Sequence, residues 1–201
     1  MRHITSLTAL AFSVFATSAL AVTYDESIDG DLATDPGTPT FIDFDAGSNL
    51  VSGSVAAPGD TRDFLTFTLE ANERLVSIVL LDYTDLDNGG PGNRGFIALN
   101  EGATSGIPGE TDADFFLGGI HLDPNLGQDL LLSLATDSIT GSDPFSVPLG
   151  AGSYSVVIQQ TGPQLTGYAV DFQVAVVPVP AAAWLFGAGL LSLGAMRRRR
   201  R

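Results

Sequence analysis

Few side chains in this sequence are suited to covalent catalysis. The chain has no cysteine, and its two histidines are His3, near the N-terminus, and His121. A Ser–His–Asp hydrolase would need His121 as its base, yet neither a G-x-S-x-G motif nor a paired metal-ligand motif accompanies it. The surrounding Gly118-Gly119-Ile120-His121-Leu122-Asp123 indicates a strand that ends in a turn. We therefore expect His121 to be a structural or surface histidine and the protein not to be an enzyme, with a secreted hydrolase as the remote alternative.

A second set of side chains could bind a hard cation. The segment Asp82-Tyr83-Thr84-Asp85-Leu86-Asp87-Asn88-Gly89-Gly90 groups carboxylate and amide oxygens before two glycines, and Ca²⁺ prefers such ligands. The spacing misses the EF-hand pattern, because Phe96 stands where the closing glutamate is required. Asp112 and Asp114 form a second acidic pair. The sequence favours a solvated hairpin loop and no cofactor; calcium binding is the alternative, with Asp82, Asp85, Asp87 and Asn88 as candidate ligands.

The charge distribution limits the partners of the body of the chain. All 23 acidic residues lie between Asp25 and Asp171, against three arginines, Arg62, Arg74 and Arg94, so this span carries a net charge of −20. Nucleic acids and anionic membrane surfaces are themselves negatively charged and are disfavoured as its partners. Solubility outside the cell is the simplest explanation of this charge, and attraction to cations or basic surfaces is the alternative.

The elements that would position these residues are predicted to be β-strands. Apolar and polar residues alternate with period two over residues 65–69, 154–159 and 168–176, which is the pattern of half-buried strands. Gly- and Pro-containing turns separate the runs. Residues 130–134 fit either a strand or a helical turn. Further strands are predicted at residues 41–44, 50–55, 75–81, 96–99, 115–120 and 145–149.

These strands predict an all-β fold, an antiparallel jelly-roll-like β-sandwich of about eight or nine strands. The body at residues 41–177 is long enough for one domain with its own core. Without cysteine, that core must hold the domain together without disulfides. Residues 22–40 are acidic and turn-rich, and we expect them to form a flexible, loosely held arm.

Residues 1–21 have the features of a signal peptide with a helical apolar region. Arg2 gives a positive start, an apolar run covers residues 4–20, and Ala19-Leu20-Ala21 fits a small-x-small cleavage site. Cleavage after Ala21 would leave Val22 as the new N-terminus. An uncleaved membrane helix is the alternative, but hydroxyl residues interrupt the run and acidic sequence follows it.

Residues 178–201 form a predicted sorting and anchor segment. An uncharged stretch at 181–196 follows two prolines, which favour a helix start near Ala181; as a transmembrane helix it would span about 24 Å. The arginines after it favour retention on the cytoplasmic side, with the body outside. A buried core helix is the alternative, but Ser192 is the only clearly polar residue of the stretch. The basic stop consists of Arg197, Arg198, Arg199, Arg200 and Arg201.

The two ends of the chain together resemble a known sorting arrangement. An export signal, one domain and then V-P-x-P-A-A-A-W-L-F-G-A-G-L-L before arginines resembles the PEP-CTERM class of bacterial sorting tails, especially its VPLPA-CTERM variant. The resemblance implies a Gram-negative host and recognition by an exosortase, a membrane-embedded cysteine transpeptidase that cleaves near the proline motif. It implies export across the inner membrane, transient anchoring, and delivery to the cell surface or exopolysaccharide matrix. The recognition positions carried over are Val177, Pro178, Val179, Pro180 and Ala181.

The body itself has a second resemblance. The run Gly59-Asp60-Thr61-Arg62-Asp63-Phe64-Leu65-Thr66-Phe67 resembles the opening of bacterial pre-peptidase C-terminal domains. The run Gly152-Ser153-Tyr154-Ser155-Val156-Val157-Ile158 is similar to their G-x-Y-x-V-x-V strand. This resemblance implies a non-catalytic module of secreted proteins that binds polymer or protein surfaces.

These features predict an exported surface or matrix protein with a structural or adhesive role. Its expected partners are the export machinery, the exosortase, the membrane before processing, and exopolysaccharide or surface proteins, without nucleic acid. A calcium- or carbohydrate-binding surface module is the alternative.

Overall fold

The computed structural model of the protein describes residues 22–56, 59–85, 95–105, 116–122, 126–139, 145–160, 162 and 165–178. These residues form two packed β-sheets, which confirms the predicted all-β sandwich. Sheet A has the strand order β1-β3-β9-β5 and sheet B the order β2-β4-β8-β6-β7. The strands are β1 (Val22–Asp25), β2 (Thr40–Phe41), β3 (Gly47–Val55), β4 (Arg62–Leu69), β5 (Glu73–Asp85), β6 (Gly95–Glu101), β7 (Gly118–His121), β8 (Gly152–Gln160) and β9 (Thr166–Val176), and the helices are α1 (Glu26–Asp29) and α2 (Leu130–Thr136).

Two strand pairs depart from the predicted antiparallel arrangement. The edge strand β1 pairs in parallel with β3, and the edge strand β2 pairs in parallel with β4. All other pairs are antiparallel. Both exceptions come from the first twenty residues of the described chain, which supply one edge to each sheet.

The structure therefore corrects the expectation of a loosely held arm at residues 22–40. Strand β1 is in register with β3 from Val22 to Asp25. Farther along, Leu32 is only 1% exposed within the core, and Ala33 forms a backbone bridge to Phe64. Most of this attachment uses backbone hydrogen bonds, which depend little on side-chain type outside proline, so the acidic, turn-rich composition did not reveal it.

Other predicted elements differ from the structure mainly at their ends. The predicted strand at 41–44 is reduced to β2, and the one at 145–149 is not a strand, although Leu149 bridges Leu75 through two backbone hydrogen bonds. The ambiguous run at 130–134 belongs to α2, which buries Leu130, Leu131 and Leu134. Asp129 caps this helix by accepting the Leu131 amide, and it also accepts the amide of Ile78 on the edge strand β5.

The core lies between the sheets and is rich in aromatic rings. Phe44 stacks on Phe67 at a centroid distance of 4.7 Å, and Phe172 and Tyr154 lie against the same group. Each such fully buried apolar side chain contributes about 1.5–3 kcal/mol. A smaller cluster of Phe64, Ala98, Phe116 and Val157 lies on the other face of sheet B, because Phe64 alternates along β4 with the core residues Leu65 and Phe67.

No helix in the described ranges is long and apolar enough to cross a membrane. The predicted signal peptide at 1–21 and the predicted membrane segment at 181–196 both lie outside those ranges.

Candidate functional site

The described structure gathers acidic side chains at the end of the sandwich where β4 begins. The first of them, Glu26, lies in α1, a single helical turn capped by Asp25, whose carboxylate accepts the amide of Ser27. Glu26 Oε1 accepts the amide of Leu32 at 3.0 Å and Oε2 accepts the amide of Ser54 at 2.8 Å. These two hydrogen bonds fix the Glu26 carboxylate between the N-terminal segment and β3.

The second acidic residue, Asp63, lies in β4 and points between the two sheets. It is fully buried, and its Oδ2 accepts a 2.7 Å hydrogen bond from the Tyr168 hydroxyl on β9. Its other oxygen, Oδ1, has no hydrogen-bond partner among the described residues. An unpaired buried carboxylate oxygen is costly, so this atom indicates a missing partner.

Asp31 completes the group that we name the acidic cluster, formed by Glu26, Asp31 and Asp63. One carboxylate oxygen from each residue lies within 4.8 Å of the other two. Oxygens on opposite sides of a bound Ca²⁺ are about 4.6–5.2 Å apart. The three oxygens can therefore contact one Ca²⁺ ion together, with Asp31 on the solvent side because it is exposed.

The electrostatics of the acidic cluster are those of uncompensated negative charge. Burial raises the pKa of Asp63 to about 8, and repulsion from Glu26, Asp60 and Asp31 adds to the rise, while the Tyr168 hydrogen bond opposes it. Burial and the charge of Asp31 raise the pKa of Asp60 to about 6. Burial also raises the pKa of Glu26, against its two backbone hydrogen bonds. The neighbours that shift these three pKa values by charge are all acidic, so a cation would stabilise the arrangement.

Gly53 on β3 provides the space in which this site is packed. A Cβ atom at Gly53 would lie 2.5 Å from Glu26 Oε2 and 2.6 Å from the Tyr168 hydroxyl oxygen. Any larger residue would therefore displace these side-chain ends. The absence of a side chain at this position allows Glu26 and Tyr168 to meet beside Asp63.

A cavity of about 330 Å³ opens next to the acidic cluster, and Glu26 is part of its lining. Its floor lies on the outer face of sheet A, because Ser52 and Ser54 alternate with core residues of β3. Asp25 and Asp82 lie at its sides, since Asp25 pairs with Ser52 across the sheet and Asp82 pairs with Ala169. Glu26 is the one member of the acidic cluster among its lining residues.

Of the calcium ligands expected from the sequence, the structure describes Asp82 and the backbone of Asp85. Asp82 is exposed, accepts a hydrogen bond from Thr84 and lines the cavity. The backbone of Asp85 ends β5, while Asp87 and Asn88 lie outside the described residues, as do Asp112 and Asp114. His121 ends β7 in an edge-to-face contact with Phe96.

The predicted processing sites fall mostly outside the described part of the chain. Val177 and Pro178 are described and exposed, and the amide of Val177 donates to the Asn72 carbonyl at 2.7 Å. The other predicted positions lie outside the described residues: Ala19, Ala21, Val179, Pro180, Ala181, Arg197, Arg198, Arg199, Arg200 and Arg201.

Sequence reasoning missed the acidic cluster because its members are distant in the chain. Asp60 and Asp63 were recognised as part of an opening strand, and Glu26 and Asp31 as part of an arm, but nothing in their spacing joins them. One local signal was present. Asp63 lies on the core-facing side of β4, together with Leu65, Phe67 and Leu69. A carboxylate at such a buried position needs a specific partner.

No protein-family model, curated protein or solved structure matches this chain.

Proposed function

We propose that this chain is an exported, non-catalytic β-sandwich that binds one Ca²⁺ ion through Glu26, Asp31 and Asp63. The observation that carries the proposal is the fully buried Asp63, one of whose carboxylate oxygens lies within 4.8 Å of a carboxylate oxygen from each of two further residues. Its Oδ1 has no hydrogen-bond partner among the described residues.

The donor set favours Ca²⁺ among the biological cations. All three protein ligands are carboxylate oxygens, which suit hard cations rather than Zn²⁺ or Cu²⁺. Mg²⁺ requires shorter contacts of about 2.0–2.1 Å in strict octahedral geometry, whereas Glu26 is already fixed by two backbone amides. Water can supply the remaining ligands that Ca²⁺ requires.

Calcium binding supports a structural role rather than a catalytic one. Glu26 and Asp31 belong to the N-terminal segment attached to sheet A, whereas Asp63 belongs to β4 in sheet B. An ion bound by these three residues would join the two sheets at the end of the sandwich where β4 begins. It would also remove the repulsion that raises the pKa values of the cluster.

The sequence supports export and sorting. The predicted signal peptide ends at Ala21 and β1 begins at the next residue, so cleavage there would leave the folded body intact. The tail at 178–201 would then anchor the protein until an exosortase acts near Val177–Ala181, after which the sandwich joins the cell surface or extracellular matrix in a structural or adhesive role.

Thermal unfolding tests the calcium proposal. We expect Ca²⁺ at about 100 times its Kd to stabilise the protein relative to a chelator by about 2.7 kcal/mol, which corresponds to about 5–10 °C for a domain of this size. Mg²⁺ at the same concentration should have a much smaller effect. Equal melting temperatures in Ca²⁺ and in chelator would contradict the proposal.

Mass spectrometry tests export and sorting separately. Protein recovered from the host surface should begin at Val22 and lack the five terminal arginines. A surface form that retains its full mass would contradict the sorting proposal and leave the calcium proposal unaffected.

A further inference from the structure

Tyr168 contacts Asp63 across the interior of the sandwich. Tyr168 lies on β9 of sheet A and Asp63 on β4 of sheet B, and the Tyr168 hydroxyl donates a 2.7 Å hydrogen bond to Asp63 Oδ2. Both side chains are buried. A hydrogen bond between buried groups does not compete with water, so this bond restricts the rotation of the Asp63 carboxylate.

The two oxygens of the Asp63 carboxylate therefore have different surroundings. Oδ2 accepts the proton of the Tyr168 hydroxyl, whereas Oδ1 has no hydrogen-bond partner among the described residues. An ionised carboxylate offers only acceptor lone pairs, which bind either hydrogen-bond donors or a cation. Oδ1 is thus the oxygen of Asp63 whose lone pairs are free for an ion.

The packing around Gly53 determines where the Tyr168 hydroxyl lies. Tyr168 pairs with Gly53 of β3, and a Cβ atom at Gly53 would lie 2.6 Å from the hydroxyl oxygen and 2.5 Å from Glu26 Oε2. These two oxygens are therefore at most about 5 Å apart. The hydroxyl has a single proton, which it donates to Asp63, while the two oxygens of Glu26 accept backbone amides. This arrangement holds Asp63 beside Glu26, the second ligand of the proposed ion.

We propose that Tyr168 is a positioning residue of the calcium site. Its hydrogen bond holds Oδ2 of Asp63 and turns Oδ1 toward the ion, so that Asp63 binds Ca²⁺ through one oxygen. This inference rests on the proposed calcium binding, and it adds which atom of Asp63 is the ligand and which residue orients it. Hydrogen-bond partners of metal ligands have this role in other metal sites, where their loss lowers metal affinity by about 10- to 100-fold.

The substitution Tyr168→Phe tests this role, because it removes the hydroxyl and keeps the buried ring. We expect the Ca²⁺ affinity of the purified chain, measured by titration calorimetry, to fall by about 10- to 100-fold. Tyr154→Phe is the matched control, since Tyr154 is also buried and its hydroxyl donates to the Gly150 carbonyl at 3.1 Å. Tyr154 lies opposite Phe67 of β4, four residues or about 13 Å along the strand from Asp63. The control should bind Ca²⁺ like the wild type.

A double-mutant comparison separates positioning from a general effect on packing. Tb³⁺, a trivalent ion of similar size to Ca²⁺, keeps a weakened site measurable. If Tyr168 acts through Asp63, Tyr168→Phe should lower Tb³⁺ affinity by about 10- to 100-fold in the wild type, and by no more than about twofold in Asp63→Asn. Equal losses in the two backgrounds would show that Tyr168 acts through the fold alone, and would overturn the proposal.

A crystal structure of the wild-type protein with Ca²⁺ tests the coordination without any substitution. We expect Asp63 Oδ1 at about 2.3–2.6 Å from the ion, with Oδ2 outside that range and still bound to the Tyr168 hydroxyl. An ion bound through Oδ2, or through both oxygens, would overturn the proposal even if Tyr168→Phe fails to fold.

Failure of this inference and failure of the calcium proposal give different results. Ca²⁺ binding by the wild type with unchanged affinity in Tyr168→Phe would overturn the positioning role alone. A loss in Tyr154→Phe as large as the loss in Tyr168→Phe would also overturn it, because it would indicate a general effect of removing a buried hydroxyl. A wild type that binds no Ca²⁺ would contradict the proposed function itself.

Discussion

At the scale of single residues, Asp63 is the side chain that the fold alone does not explain. A position between two sheets suits an apolar residue, and its neighbours Leu65 and Phe67 on the same face of β4 are fully buried. Tyr168 satisfies one oxygen of Asp63, but the second has no partner among the described residues. A cation bound by the Asp63 carboxylate would offset the free-energy cost of burying it.

The substitution Asp63→Asn tests both the stability cost of the buried charge and the role of that charge in Ca²⁺ binding. The neutral amide keeps the shape of the side chain and removes a buried charge, so the variant should be more stable than the wild type in chelator near pH 8, by about 1–2 kcal/mol. It should also lose most of the stabilisation by Ca²⁺, because the remaining carbonyl oxygen is an uncharged and weaker ligand. Chemical denaturation with and without Ca²⁺ measures both effects, and Asp43→Asn, at an exposed position, is the control that should change neither.

The pH dependence of stability follows from the raised pKa of Asp63. Because the folded-state pKa is about 8 and the unfolded value is about 3.9, the folded state holds a proton that the unfolded state releases. Stability in chelator should therefore fall as pH rises between these values, by about 2 kcal/mol from about pH 5.5 to about pH 7.5. The raised pKa of Asp60, about 6, acts in the same direction.

Melting curves in chelator and in saturating Ca²⁺ over this pH range check the prediction. The bound ion holds the carboxylates in their charged form, so the fall should be reduced when Ca²⁺ is present. A melting temperature in chelator that rises over the same range would contradict the assigned protonation of Asp63.

Gly53→Ala tests the packing of the site without removing a ligand. The atoms nearest to the added Cβ are the side-chain ends of Glu26 and Tyr168 and not backbone atoms, so the fold should remain. We expect Ca²⁺ affinity to fall by about 10- to 100-fold, as when the support of a metal ligand is lost. Unchanged affinity, measured by titration calorimetry, would show that Gly53 does not position Glu26.

At the scale of elements, the sequence predicted the strands in which apolar and polar side chains alternate. It did not predict the N-terminal segment that is joined to the sheets by backbone hydrogen bonds. β4, β8 and β9 have clear period-two patterns and were placed within a few residues of their observed ends. β1 and the bridge at Ala33 depend on backbone hydrogen bonds, which leave no compositional signal. The acidic cluster was unpredictable for the same reason, since it depends on the attachment of β1 and α1 to β3, which brings Glu26 close to Asp63 of β4.

Helix α2 offers a test of one such connection. Asp129 caps the helix at Leu131 and also accepts the amide of Ile78, which lies on the open edge of β5. Asp129→Ala should cost about 1–2 kcal/mol of stability, because it removes a helix cap and leaves a strand amide unpaired. Asp129→Asn, which retains an acceptor oxygen, should cost less. A loss below about 0.3 kcal/mol in denaturant unfolding for the alanine variant would show that this connection is unimportant.

At the scale of the whole molecule, the acidic cluster and the end of β9 that leads into the predicted tail lie at opposite ends of the sandwich. Tyr168, beside the acidic cluster, and Val176, at the end of β9, are eight residues apart, which is about 27 Å along a strand. If the tail anchors the protein as proposed, the acidic cluster lies at the end of the sandwich away from the membrane, where extracellular Ca²⁺ can reach it.

Isothermal titration of Ca²⁺ into the purified protein tests the central claim most directly. We expect one Ca²⁺ per wild-type chain, with a Kd of about 1 mM or tighter as in extracellular calcium modules, and much weaker binding by Asp63→Asn, which keeps a carbonyl oxygen but loses the charge. A wild-type protein that takes up no Ca²⁺, or an Asp63→Asn variant that binds as tightly as the wild type, would contradict the assignment of the acidic cluster.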